Sequence, residues 1–66
     1  MDDIEKLRHL VSHWQEHNQE HARTYREWAD RMEKAGEVGA GDILLRIADK
    51  AEELEKDFKD LASALR

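Results

Sequence analysis

Apolar and aromatic residues recur along this chain at steps of three and four, the spacing that puts side chains on one face of a helix. The first series is Ile4, Leu7, Val11 and Trp14, then Tyr25, Trp28, Met32 and Ala35. Carrying the same a/d register across the gap places Asn18 and His21 on the seam, so one polar layer interrupts the stripe. Asp2 and Asp3 suit a helix start, and Gly36 stands where a left-handed C-terminal cap is expected. The second series is Leu44, Ile47, Ala51, Leu54, Phe58, Leu61 and Leu65. The pattern predicts a helix over about 3–35, a turn over 36–41 and a helix over about 42–65, with Asp42 as the second N-cap. Alternatively the second helix starts near Val38 and carries Gly39 and Gly41 inside it, at about 1 kcal/mol each.

So short a connection makes the two helices antiparallel neighbours, and the chain an all-α, two-helix hairpin. Leu10, Ile43, Leu45, Ala48 and Ala62 widen both stripes beyond what one partner helix covers. The expected remedy is a homodimer, two hairpins making a four-helix bundle. Length points the same way: with 66 residues, one core supplies only about 3–5 kcal/mol. Cysteine is absent, so neither disulfides nor thiolate metal sites can help.

Charge narrows the partners. The net charge is −5, with 6 basic and 8 acidic residues through Gly36 and 5 and 8 after it. Neither half has a basic face for nucleic acid or anionic membranes. No apolar run approaches the roughly 18–20 residues of a membrane helix, and Met1-Asp2-Asp3 is unlike a signal peptide. The expected setting is the cytoplasm, with a homodimer or a protein partner.

All four histidines fall in the first helix at equal spacing: His9, His13, His17 and His21. Each successive pair is i,i+4, a spacing that lets two imidazoles reach one metal ion. Each step of four rotates the stripe by about 40°, so His9 is at an outward f position, His13 at c, His17 at g and His21 at d. With residue i level with about 75−i across the turn, Asp57 is expected near His17 and Asn18, and Glu20 is beside His17 in the same helix. The candidate metal set is therefore His13, His17, His21, Asp57 and Glu20, for a nickel or zinc ion. Two other readings stay open. Asn18 and His21 can form a polar layer that fixes register and oligomeric state without metal, or His17 and His21 can act as a pH switch.

Catalysis lacks support. No histidine has Glu or Asp three residues before it, as a carboxylate di-iron site requires, and there is no His-Glu-x-x-His. No nucleophile–base pair is visible, and Gly36–Gly41 has neither the lysine nor the preceding strand of a phosphate loop.

The stretch Leu10–Gly36 carries His13-Trp14, Glu16-His17-Asn18, Glu20-His21-Ala22, Tyr25, Trp28-Ala29 and Ala35-Gly36. It resembles small prokaryotic His-rich helical domains of unknown function, some of which occur beside nickel-binding proteins of the CooT type. That resemblance implies a nickel-related accessory role and favours His13, His17 and His21. The expectation is a non-catalytic metal-binding module, and the alternative is a structural homo-oligomerisation or protein-interaction module with an Asn/His register layer.

Overall fold

A computed structural model describes residues 2–66, which form two helices, α1 (Asp3–Lys34) and α2 (Val38–Ala64). Asp2 caps α1, its carboxylate accepting the Glu5 N–H at 2.9 Å. Asp3 and Glu5 lie in the first turn and Arg31 and Lys34 in the last, each sign matched to the helix dipole. α1 ends in a Schellman turn. Gly36 takes φ +85°, its N–H donates to the Glu33 carbonyl at 3.1 Å, and the Glu37 N–H donates to the Met32 carbonyl at 2.8 Å. Glycine is required there because a Cβ strains the left-handed region.

The expected 36–41 turn is too long. α2 begins at Val38, the second of the two starts the sequence allows, with Gly39 and Gly41 inside the helix and Asp42 within it instead of capping it. Gly41 is buried against α1: a Cβ there would stand 2.9 Å from Glu33 Cγ and 3.1 Å from the Ala29 carbonyl oxygen. Gly39 has nothing within 4 Å of its absent Cβ. The two glycines therefore predict opposite outcomes. Gly39→Ala should raise the thermal midpoint through helix propensity, by about 0.5–1 kcal/mol. Gly41→Ala should lower it, because a backbone carbonyl must give way; equal shifts in two circular-dichroism melts would refute this account of the turn.

Small residues hold the hairpin together. The buried apolar residues are Val11, Ala22, Ala29, Ala48 and Ala51, and Val11 is the one large side chain fully enclosed. These are a and e positions of the two heptad patterns, not a and d. The large d-position residues lie outside: Trp14 is 41% exposed, Trp28 46% and Leu54 46%. In an antiparallel pair packed through a and e, the d and g positions of both helices fall on the same side. That side is apolar. Trp28, Met32, Ala40, Ile43, Leu44 and Ile47 line an open groove on it. The opposite side is polar, with Arg26 bridging Asp49 at 2.8 Å and also pairing with Glu52, and Gln19 donating to Glu55 at 3.1 Å.

The Cα envelope measures 51 × 17 × 11 Å, one helix deep. Among the described residues neither helix is long and apolar enough to cross a membrane.

Candidate functional site

The middle of the hairpin carries its most specific polar contacts. Asn18, on the seam where the register puts it, donates through Nδ2 to the Ala51 carbonyl at 2.7 Å and to Glu55 Oε1 at 2.8 Å. At the open end Arg8 donates to the Leu65 carbonyl. Residues i and 73−i thus lie roughly level, two short of the value expected from the sequence.

The polar layer is built from Asn18 and Glu55, not from Asn18 and His21. Glu55 is half-buried at an e position, which the packing through a and e turns toward α1. Its carboxylate is held below the usual range, first by the Asn18 hydrogen bond and further by Gln19, Gln15 and Lys59, against the opposing effect of desolvation. A carboxylate depressed in the fold contributes stability that is present above its unfolded value, about 4.3, and lost as pH falls through the folded value. Wild-type thermal stability should therefore decline below about pH 4.3, and Glu55→Gln should decline less over the same interval. Parallel melts from pH 7 to pH 3 give the comparison, and identical acid profiles would remove Glu55 from the account.

The three candidate histidines are all exposed and run as a continuous stripe across the edge of the apolar side. His13 and His17 stack with ring centroids 5.9 Å apart and planes at 9°. His17 and His21 come closer, to 4.4 Å, edge to face at 77°. Tyr25 stacks beyond His21 at 5.9 Å and 18°. Farther along, Arg31 covers the Trp28 ring at 4.7 Å, a cation–π contact at the rim of the groove.

Asp57 and Glu20 are both exposed, and the carboxylate that meets Asn18 is Glu55. Facing g positions belong to helices packed through a and d. Packing through a and e sends His17 and Asp57 to opposite rims of the apolar side. Among the described residues no group of three or more His, Asp or Glu is placed to hold a metal ion. A single chain brings together two imidazoles well, a third less closely, and no carboxylate with them.

Comparison with curated proteins finds no match, and neither does comparison with solved structures. A family profile does match, over residues 7–65, and it takes in the whole of the Leu10–Gly36 stretch and nearly all of both helices. On that match, the chain belongs to the family described as domain of unknown function DUF8180.

Proposed function

We propose that this domain is a self-association module, two copies mating through their apolar sides into a four-helix bundle. The observation that carries this reading is the unpartnered d/g side. Leu10, Trp14, Trp28, Ile43, Ile47 and Leu54 are each 40–50% exposed. Together they present roughly 600 Å² of residue surface, at the low end of the share each partner gives a stable interface. Isolated exposed leucines need no explanation, but a cluster of exposed tryptophans, isoleucines and leucines on one side of both helices does.

A second copy fits this side better than an unrelated protein because the hairpin lacks what a second copy supplies. Its own seam buries alanines, which contribute little apolar area, and it has no second layer of structure. Two copies facing each other would enclose the tryptophans, Ile43, Ile47 and Leu54 in one core. The opposite side is unsuited to mating, since Arg26, Asp49 and Glu52 would have to be desolvated there.

Sedimentation equilibrium tests the reading directly. The chain weighs 7.8 kDa, and twice that mass at micromolar concentration is the expected result. A single species of monomer mass up to about 1 mM, a level of only about −4.1 kcal/mol, would overturn it.

A further inference from the structure

The histidine stripe does not stay on the outward face of α1. It climbs from His13 at the rim to His21 on the side proposed for mating, in line with Trp14 and Trp28. An imidazole enclosed there needs a partner for its ring nitrogens, because burying a polar group unpaired is costly. The Asn18 amide nitrogen already donates to the Ala51 carbonyl and to Glu55, so it has no N–H left for an imidazole nitrogen that must accept. The neighbour on the other side of His21 is the Tyr25 ring, stacked at 5.9 Å.

His17 supplies the remaining clue. Two imidazoles sharing one tetrahedral ion, with metal–nitrogen bonds of about 2.0–2.1 Å, have ring centroids about 5.2 Å apart. His17 and His21 stand at 4.4 Å and His13 and His17 at 5.9 Å, so small rotations bring either pair to that separation. Only His17 and His21 hold g and d positions, on the side proposed for mating. The His17–His21 pair is thus half of a nitrogen site, and the chain offers nothing nearby to complete it.

Position along the hairpin supplies the other half. α1 runs from Asp3 to Lys34, so its midpoint falls between Asn18 and Gln19, inside the His17–His21 turn. With a twofold axis parallel to the helices, α1 faces α2 of the other copy and the two His17–His21 pairs stand diagonally apart. With a twofold axis across the helices in the mating plane and full overlap, α1 faces its own copy and the midpoints lie level. That second arrangement brings the two His17–His21 pairs together.

We propose that His17 and His21 from each of two copies form one four-imidazole site for a divalent first-row transition-metal ion such as zinc. The proposal rests on the dimer reading and adds to it a ligand and a stoichiometry. Neutral imidazole is a good donor to zinc, nickel and copper, and four nitrogens close a tetrahedral site without a water ligand. His9 and His13 lie outside the site.

Isothermal titration of metal-free protein with zinc chloride at pH 7.5, with sedimentation of the same samples, tests this. The expected result is one zinc per two chains at a Kd of about 1 µM or tighter, with the dimer strengthened by zinc through linkage. His17→Ala and His21→Ala should each weaken zinc binding by about 100-fold or more, since loss of even a supporting residue costs 10–100-fold. His9→Ala should leave it unchanged. Circular dichroism separates lost binding from lost folding, and the wild-type stoichiometry stands whatever the variants do. A dimer that takes up no zinc, or one zinc per chain, overturns the shared site and leaves the dimer intact. A chain that stays monomeric with and without zinc overturns both.

Discussion

Trp28→Glu should turn the dimer into a monomer while leaving the hairpin folded. Trp28 is 46% exposed in the single chain and lines the groove on the apolar side. In the hairpin alone a carboxylate there can point to water, and glutamate is a better helix former than tryptophan. Between two copies the same carboxylate would enter an apolar core, and symmetry makes it enter twice. Loss of a central tryptophan costs about 2 kcal/mol or more per copy, so dimer dissociation should rise by at least about a thousandfold. Helical circular dichroism of the variant at high concentration should stay near the wild-type value while its sedimenting mass halves. Wild-type mass in Trp28→Glu would mean that this side does not mate.

Ala48→Leu should do the reverse damage, striking the hairpin before the dimer. Ala48 is 0% exposed, with the buried Ala51 one turn on. A leucine there has no space to fill, so the helix axes must separate. Overpacking of this kind costs about 1–3 kcal/mol, a large part of the roughly 3–5 kcal/mol available to so small a core. The thermal midpoint should fall sharply and the transition broaden. An unchanged melt would show that the helices part freely and that the alanine seam does not set their spacing.

The contrast between these two positions explains how much of the molecule was legible beforehand. Both helices, their antiparallel pairing, the Asp2 start and the Gly36 cap follow from local chemistry, and all are present. The side each helix turns inward does not follow from local chemistry. Weighting by size puts Trp14, Trp28, Ile47 and Leu54 inside, yet the hairpin is closed by Ala22, Ala29, Ala48 and Ala51. The signal was there in the small residues: Ala22 and Ala29 recur after seven residues, and Gly41 and Ala48 do the same. That repeat lets two helix backbones come close, and no large side chain at the same height is needed.

The error in facing propagated to the candidate site. Phasing α2 by its large residues put Asp57 opposite His17, whereas phasing it by the small ones puts Glu55 opposite Asn18, where the hydrogen bond is found. The start of α2 was left between Val38 and Asp42 for a related reason. Gly39 and Gly41 read as turn residues when their neighbours are unknown, and Gly41 becomes a contact residue once Ala29 and Glu33 are seen to lie against it. The histidine spacing survived the change of facing because it lies within one helix. His17 and His21 are close whichever side of the hairpin they adorn.

A molecule one helix deep, 11 Å across its thinnest Cα dimension, has a further consequence for how it persists. On the proposed pairing, much of its apolar surface would be buried by association, and its native state would be favoured by mass action. Its melting temperature should climb with its own concentration, and sparse chains should open and be degraded faster than abundant ones. The dose of the protein then acts as one of its folding conditions, and synthesis below a threshold yields a hairpin short-lived by its own geometry.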